Sequence, residues 1–324
     1  MKVLVTGATG FVGNNVTRAL LAQGCDVRVL VRSPEDKSLA GLEVTPMIGD
    51  LRDAAILLDA CDGVDRVIHV AAKVHIGWSQ LAEHREINVE GTRNVGTAAL
   101  AHDARMVYVS SVDALGIGTA DSHADEETPR IGKIPCSYVI SKTESEVAIR
   151  ELIDEGLQAT IVNPGFMLGP WDWKPSSGRM LLEVASRHTP LAPTGGMTLC
   201  HIADVTQGIL AAMEKGTVGR NYILGGHAIS YYDAWCLFAE VSGGKPPKKL
   251  MGPLIQAIAG RVGDLLAKMT RRESDINSAA IKMSSLFHYY SSARAEAELD
   301  YTISPLRSSV EDAWSWFMEN GYTK

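Results

Sequence analysis

The sequence predicts an α/β fold in which a doubly wound parallel sheet precedes a smaller, mostly helical C-terminal lobe. Three observations lead to this prediction. Short apolar runs alternate with amphipathic helical patterns through the first half of the 324 residues. The runs are continuous in Val, Ile and Leu, which indicates strands buried on both faces of a parallel sheet. A glycine-rich turn joins the first run to the first helix.

The predicted elements follow from the apolar runs and from helical spacing. Strands are predicted at 2–6, 26–31, 43–48, 65–70, 105–110 and 158–162, and helices near 11–23, 53–60, 80–102 and 138–155. Gly, Pro and Trp residues crowd 164–178, where the alternation stops. We therefore divide the chain into a sheet domain, 1–165, and a second lobe, 166–324, from which some segments return to the sheet.

The composition excludes several classes of protein. Hydrophobic residues make up 46% of the chain and charged residues 21%, as in ordinary globular proteins. The net charge of −7 argues against nucleic acid as a partner. The five cysteines form no C-x-x-C pair, so neither a zinc site nor a disulfide framework is expected. We expect no signal peptide and no transmembrane segment, which favours a cytoplasmic location.

One later segment has strong helical periodicity. The stretch "LIQAIAGRVGDLLAKM" predicts an amphipathic helix over 253–269, flanked by Lys248–Lys249 and Arg271–Arg272. Arg261 and Asp264 make it too polar to cross a bilayer. Packing of its apolar side onto the domain is the favoured interpretation. Contact with a membrane surface or with a partner chain is the alternative.

The glycine-rich turn is the first functional signal. In "VTGATGFVGNNV" the glycines follow G-x-x-G-x-x-G between a strand and a helix, at Gly7, Gly10 and Gly13. Such glycines permit a tight turn, close approach of a pyrophosphate and packing of helix on strand. The N–H groups at the start of the helix favour an anion. The turn predicts a Rossmann-type dinucleotide site with contacts from Gly7, Thr9, Gly10, Phe11 and Val12.

The ends of the next strands would complete the cofactor site. Arg32 stands near the end of the second strand, where an NAD site usually has an acid for the ribose 2′-hydroxyl. Its guanidinium suits a 2′-phosphate, with help from Lys37, so NADP (as NADPH) is favoured over NAD. We expect further cofactor contacts from the ends of the third and fourth strands, at Asp50, Leu51, Ala71, Ala72 and Lys73.

A second signal is the pair Tyr138 and Lys142 in "SYVISK". Residues four apart share one face of a helix. A lysine ammonium beside a tyrosine, with a positive nicotinamide nearby, would stabilise the phenolate and lower the pKa of the tyrosine. The spacing by itself also fits an ordinary helix start.

Taken together, the motifs resemble the extended short-chain dehydrogenase/reductases, which form the NAD-dependent epimerase/dehydratase family. The resemblance covers nearly the whole chain, through "TGATGFVG", "GDLRD", "HVAA", "NVEGTRNV", "YVSSVDALG" and Tyr-x-x-x-Lys. Within this family the chain is most similar to dihydroflavonol-reductase-like proteins and hopanoid-associated sugar epimerases. The later stretches "NPGFMLGPWDWKPSSGRM", "HIADV" and "YILGG" carry that similarity.

The resemblance implies roles for particular residues. Tyr138 would be the acid/base, Lys142 would keep it poised and hold the nicotinamide ribose, and Ser111, rather than Ser110, would hold the reacting oxygen. Asn88 matches a helix asparagine of the family that is either structural or water-holding. Contacts to the nicotinamide are implied for the segment after the sixth strand, at Pro164, Gly165 and Met167. Asn163 departs from the Arg-Pro of many relatives.

Candidates for the substrate side come from the fourth strand end and from the second lobe. Trp171 and Trp173, with Lys174 and Arg179 nearby, form either a wall for a ring substrate or a hydrophobic latch between lobes. His75 and Trp78 follow the fourth strand and are placed to line the same crevice. The motif residues His201 and Asp204 are expected to fix the lobe.

The leading functional interpretation is an NADP(H)-dependent oxidoreductase that reduces a carbonyl, or oxidises a secondary alcohol, of a small molecule. A nucleotide-sugar epimerase or dehydratase with retained NAD(P) is the alternative. A non-catalytic NAD(P)-sensing protein is the third. The resemblance also implies a homodimer, formed through helices 80–102 and 138–155.

Overall fold

The computed structural model describes residues 1–270 and 272–323. Its main sheet has seven strands in the order β3-β2-β1-β4-β5-β6-β10, and all neighbours are parallel. These strands are β1 Lys2–Thr6, β2 Asp26–Val31, β3 Thr45–Ile48, β4 Arg66–His69, β5 Arg105–Val109, β6 Ala159–Pro164 and β10 Asn221–Leu224. The predicted Rossmann-type parallel sheet is confirmed, because the strand order reverses beside β1 as in doubly wound folds.

Helices cover both faces of this sheet. In the first half of the chain they are α1 Phe11–Ala22, α2 Ala54–Cys61, α3 Leu81–His84, α4 Gly91–Ala101 and α5 Ser137–Asp154. A π-helical turn, Arg85–Glu90, joins α3 to α4, so the single helix predicted over 80–102 is wound differently at its centre. One face packs beneath α1, and the other beneath α2, α4 and α5.

The second half of the chain interleaves with the sheet. Strand β10 pairs with β6 in the sheet, and α7 (Ile202–Lys215) packs beside α1. The remaining elements form a lobe in which β9 pairs with β7, β11 and β13, and β12 pairs with β8. They are β7 Phe166–Leu168, β8 Leu191–Ala192, β9 Gly196–His201, β11 His227–Ser230, β12 Lys249–Leu250, β13 Phe287–His288, α6 Gly178–Ser186, α8 Tyr231–Ser242, α9 Pro253–Thr270, α10 Ser278–Met283, α11 Ala293–Leu299 and α12 Leu306–Glu319.

The predicted amphipathic helix exists as α9, but the favoured interpretation of its apolar side is wrong. Its large apolar side chains are exposed, and the helix instead contacts its neighbours through Gly260 and Gly263. A Cβ at Gly260 would lie 3.0 Å from Cα of Ser278. Small residues therefore allow the backbone to approach closely, which turns the large side chains outward. No helix of the described ranges is both long enough and apolar enough to cross a membrane.

The geometry of the turn between β1 and α1 explains why glycine is required at two of its positions. Gly7 has a φ of +77°, and a Cβ there would lie 2.7 Å from the backbone nitrogen of Ala71. A Cβ at Gly13 would overlap the carbonyl oxygen of Gly7. The first glycine therefore permits the left-handed turn, and the third allows α1 to pack on that turn.

We expect Gly13→Ala to lower the free energy of unfolding by about 1–3 kcal/mol, because the added methyl group forces the turn apart. Urea denaturation of the purified protein measures this. Gly252→Ala is the matched control, since nothing lies within 4 Å of a Cβ at that position. Equal stabilities for the two variants would contradict the packing role of Gly13.

Candidate active site

The functional residues predicted from the sequence gather at the carboxyl edge of the sheet. Gly7 follows β1, Arg32 follows β2, Ala71 lies after β4, Ser111 after β5 and Gly165 after β6. Because all these strands are parallel, their ends meet at one edge, where open α/β sheets hold their ligands.

The glycine turn fits a dinucleotide pyrophosphate. Helix α1 starts after Gly10 with no side-chain cap and no acidic residue in its first turn, so its first N–H groups have no side-chain acceptor. The turn is closed by a hydrogen bond of 2.9 Å from the nitrogen of Gly10 to the oxygen of Gly7. The positive end of the helix and the absence of side-chain bulk together suit a phosphate group. Thr9, Phe11 and Val12 lie half-buried beside it.

Tyr138 and Lys142 lie side by side on the buried face of α5. Tyr138 is 8% exposed and Lys142 3% exposed, so neither is an ordinary surface residue. The Nζ atom of Lys142 donates a hydrogen bond of 3.0 Å to the carbonyl oxygen of Val109 and lies 5.1 Å from the ring centroid of Tyr108. Burial lowers the pKa of Lys142 to about 8, although the carboxylate of Glu146 opposes this shift.

The protein's own groups raise the pKa of Tyr138, whereas the lowering expected from the sequence also requires the positive charge of a bound nicotinamide. Burial raises the pKa of Tyr138 well above its usual range, and the negative charge of Asp113 raises it further. A hydrogen bond with the Ser111 side chain opposes the shift only in part. Since an unperturbed phenol has a pKa near 10 and burial raises it further, Tyr138 carries its proton at neutral pH.

The two serines after β5 have different surroundings. Ser110 is buried, and its hydroxyl donates a hydrogen bond of 2.6 Å to Oε1 of Glu146. Ser111 is less buried; its Oγ accepts a hydrogen bond of 3.1 Å from the nitrogen of Asp113 and faces Tyr138. The structure therefore brings Ser111, and not Ser110, together with Tyr138.

A buried polar network beneath these residues was missed by the sequence analysis. The carboxylate of Glu146 is completely buried and pairs with Arg130, whose side chain is one-third exposed. Asn163 donates hydrogen bonds of 2.7 Å to Glu146 and 2.9 Å to the carbonyl oxygen of Ser111. Asn221 donates to Glu146 at 3.1 Å and to Asn163 at 2.8 Å. A glutamate four residues after Lys142, on the same helix face, was the available signal.

A second polar cluster lies beside Tyr138. Nζ of Lys133 is 3.0 Å from Oδ1 of Asp113 and 3.0 Å from Nδ1 of His288. Burial lowers the pKa of His288 to about 4, so its ring is neutral and its Nδ1 accepts a hydrogen bond from Lys133. The three residues are far apart in the sequence, and no local motif identifies them.

Asn88 connects the loop after β4 to α5. Its Oδ1 accepts a hydrogen bond of 2.7 Å from the nitrogen of Lys73, and its Nδ2 donates to the oxygen of Lys73 at 3.0 Å and to Oγ of Ser141 at 2.9 Å. The side chain lies in the π-helical turn and is 1% exposed. These contacts give Asn88 a structural role, because its side chain joins the loop at 71–73 to α5.

The remaining predicted cofactor-binding residues differ in exposure and in the residues that they contact. Arg32 is exposed and lies near enough to Asp50 to lower the pKa of that carboxylate, after the larger effect of Arg52. Lys37 does not join Arg32; its Nζ lies over the rings of Trp173, at 5.2 Å, and Tyr322, at 5.6 Å. Leu51 is buried, whereas Pro164 ends β6 and Met167 lies half-buried in β7.

The substrate candidates are not all close to Tyr138. Trp171 and Trp173 pack on one another and on Trp316, and the guanidinium of Arg18 lies 3.4 Å from the Trp171 ring centroid. These contacts connect the lobe to α1, which is the latch arrangement. Arg179 pairs with an aspartate of the lobe, Asp275.

His75 and Trp78 lie on the loop above α5. The carboxylate of Glu273 accepts a hydrogen bond of 2.9 Å from the nitrogen of Trp78 and lies 3.2 Å from Nε2 of His75. Nε1 of Trp78 donates to Oγ of Ser278 at 2.7 Å. The lobe thus holds this loop by polar contacts.

The two motif residues of "HIADV" tie elements together away from Tyr138. Nε2 of His201 lies 3.0 Å from Oδ2 of Asp312 in α12. The carboxylate of Asp204 accepts hydrogen bonds of 2.7 Å and 2.6 Å from the nitrogen and hydroxyl of Ser304. Both therefore attach the end of the chain to α7.

Comparison with known proteins identifies the class of protein to which this fold and this candidate site belong. The model of the NAD dependent epimerase/dehydratase family matches residues 3–225. The chain belongs to this family, whose members use nicotinamide cofactors, and its relatives include named reductases and dehydrogenases. The protein is therefore an NAD(P)-dependent oxidoreductase of the extended short-chain dehydrogenase/reductase type.

Particular relatives span the full chain. A putative dihydroflavonol 4-reductase of Synechocystis sp. is 33% identical over 99% of this chain and 95% of its own length. Sterol demethylase protein B of Methylococcus capsulatus is 34% identical over 99% of both chains. The crystal structure of gox2253 superposes with a TM-score of 0.86, at 37% identity over 99% of both chains.

We expect Glu146→Ala to lower the free energy of unfolding by about 2–3 kcal/mol, because it leaves Arg130 and two buried amides without their acceptor. The value is below that for fully buried pairs, since Arg130 is partly exposed. Urea denaturation measures it. Glu144→Ala removes an exposed carboxylate from the same helix, paired with Arg85, and should cost less than about 1 kcal/mol. A similar loss in both variants would refute the network.

Proposed function

We propose that the protein is an NADP(H)-dependent oxidoreductase that reduces a carbonyl group of a small molecule, or oxidises the corresponding secondary alcohol. One observation carries this proposal: Ser111 lies beside Tyr138 and Lys142 reaches the end of β5, at the same edge of the sheet as the glycine turn. A hydroxyl, a phenol and a buried ammonium in that place are suited to proton transfer at a carbonyl oxygen.

Reduction requires a proton as well as a hydride. The bound nicotinamide supplies the hydride. Tyr138 carries its proton at neutral pH, as any phenol does, and is placed to donate that proton to the carbonyl oxygen. Ser111 donates a hydrogen bond to the same oxygen. Lys142 places a buried positive charge next to the developing negative charge.

The residues that would hold the cofactor lie along the same edge. The glycine turn would take the pyrophosphate, and Asp50 and Leu51 would flank the adenine. Ala71, Ala72 and Lys73 would let backbone approach the ribose, to which Lys142 would donate a hydrogen bond. Pro164, Gly165 and Met167 would line the nicotinamide.

The preference for NADP(H) rests on Arg32. Its side chain is exposed just after β2 and forms no ion pair with any residue of 1–270 or 272–323. A guanidinium in that place is suited to a 2′-phosphate, and an acid suited to a 2′-hydroxyl is absent from position 31. Lys37 contributes less than the sequence suggested, because it lies against Trp173 and Tyr322.

A second candidate is an epimerase or dehydratase that acts on a nucleotide sugar and retains its NAD(P). The family match favours it, since the family includes both reaction types. The name of one full-length relative, a putative dihydroflavonol 4-reductase, favours the reductase, and the name of another, which refers to a sterol, also favours a ring-shaped substrate. A purely cofactor-sensing protein is disfavoured, because it would not need Ser111 together with a buried Tyr138 and Lys142.

We expect Tyr138→Phe to lower kcat by about 10²–10⁴-fold, because the proton donor is lost while the ring and its packing remain. NADPH oxidation with a panel of ring ketones measures kcat, and fluorescence titration should show unchanged NADPH affinity. Tyr232→Phe, on α8, is the matched control and should retain full activity. Wild-type turnover in Tyr138→Phe would rule out the assignment.

We expect Arg32→Asp to weaken NADPH binding by about 10–100-fold, the value of a charge-assisted hydrogen bond, while NADH binding changes little or improves. Titration of each cofactor with purified protein measures this. Arg187→Asp, an exposed charge reversal in the lobe, is the control. NAD found tightly retained in the purified protein, with no effect of Arg32→Asp, would favour the epimerase-type reaction instead.

A further inference from the structure

Helix α9 presents an exposed apolar face. Seven large apolar side chains on this one helix are 43–74% exposed. They are Leu254, Ile255, Ile258, Val262, Leu265, Leu266 and Met269. Leu250 before the helix and Ile276 after it extend the same exposed segment. A contiguous apolar surface of this kind marks an interaction site rather than ordinary surface.

The exposed apolar side chains all lie on one side of the helix. At 100° per residue the seven side chains lie within about one third of the helix circumference. Gly260 and Gly263 lie on another side, where they are buried against 276–278. The helix therefore packs onto the protein through its small residues and turns its large apolar residues to solvent, the reverse of an ordinary surface helix.

The charge around this face is opposite to that of the whole protein. Segment 245–272 has seven Lys or Arg residues and one acidic residue, Asp264, in a chain of net charge −7. The carboxylate of Asp264 already has a partner within the protein, since its Oδ1 accepts a hydrogen bond of 3.0 Å from the nitrogen of Ser278. Arg261, Lys268 and the pair Lys248–Lys249 are exposed, whereas Arg271 lies outside the described residues.

An apolar face bordered by cations matches an anionic lipid surface. Apolar side chains enter the boundary between headgroups and acyl chains, and lysine and arginine contact lipid phosphates. A second copy of this chain is a poorer match. A two-fold contact through α9 would bring the same cations of both copies together.

Helix α9 is connected to the proposed proton donor through one intervening helix. Helix α9 packs on α10, and Ala279 and Met283 of α10 are buried in one cluster with Tyr138. Glu273, just after α9, holds the loop that contains His75 and Trp78. Helix α9 is therefore joined to the surroundings of Tyr138 through α10 and through the loop that Glu273 holds.

We propose that α9 docks the protein on the surface of an anionic lipid bilayer, with its apolar face in the headgroup boundary. A consequence, which rests on the proposed reductase function, is that the substrate is a carbonyl compound dissolved in the bilayer. The docking itself requires neither cofactor nor substrate, so it is measured independently of catalysis.

Sedimentation of the full chain with vesicles tests the docking. We expect binding to vesicles of phosphatidylcholine with 30% phosphatidylglycerol, at least about tenfold weaker binding to phosphatidylcholine alone, and a decrease with added salt. Leu265→Glu combined with Met269→Glu should lower binding at least about tenfold. Lys248→Glu combined with Lys249→Glu should weaken binding only to the anionic vesicles. Met318→Glu, a similarly exposed apolar residue on α12, should bind as the wild type does.

Several outcomes would overturn the docking. Absence of vesicle binding by the wild type would do so, as would equal binding by the Leu265→Glu/Met269→Glu variant. Sedimentation velocity without lipid is the second measurement. A wild-type dimer that this variant converts to monomer would assign the face to a second copy instead. Loss of docking with Tyr138-dependent reduction intact would refute only the docking, and intact docking without reduction would refute only the proposed function.

Discussion

The buried carboxylate of Glu146 is the interaction on which the active-site geometry depends. It accepts hydrogen bonds from Ser110 just after β5, from Asn163 near the end of β6 and from Asn221 at the start of β10. It also opposes the effect of burial on Lys142, so a lysine ammonium is retained in the interior. A carboxylate without these partners would be too costly to bury. The network therefore aligns α5 with the sheet and leaves Tyr138 and Ser111 free to face the cleft.

The two halves of the chain are joined by contacts of different kinds. On the main sheet, β10 and α7 return from the second half and become part of the core. Around α1, the Trp171 and Trp173 rings and the cation of Arg18 form the junction. Above α5, polar contacts of Glu273 hold the loop at 77–79. The last junction also contains an apolar cluster, in which Ile76 of this loop packs with Tyr138 and with Met283 of α10, so polar and apolar contacts together hold the loop over α5.

For helix α9, the secondary structure was predicted correctly from the sequence, but the packing of its apolar side was not. The periodicity of Ile258, Val262 and Leu265 predicts an amphipathic helix, and the helix forms. Periodicity does not specify which partner covers the apolar face. Gly260 and Gly263 have low helix propensity. They nevertheless decide which side of α9 faces the protein, because only they permit close contact with 276–278.

The sequence by itself determined the parallel sheet, the glycine turn and the pair Tyr138 and Lys142, because these depend on local spacing and on strand ends that share one edge. It did not determine the partners of Glu146, which come from Arg130, Asn163 and Asn221, or the cluster of Asp113, Lys133 and His288. It also did not determine that the protein's own groups raise the pKa of Tyr138. The tertiary structure decided these features, because burial and charge at one point depend on residues from distant parts of the chain.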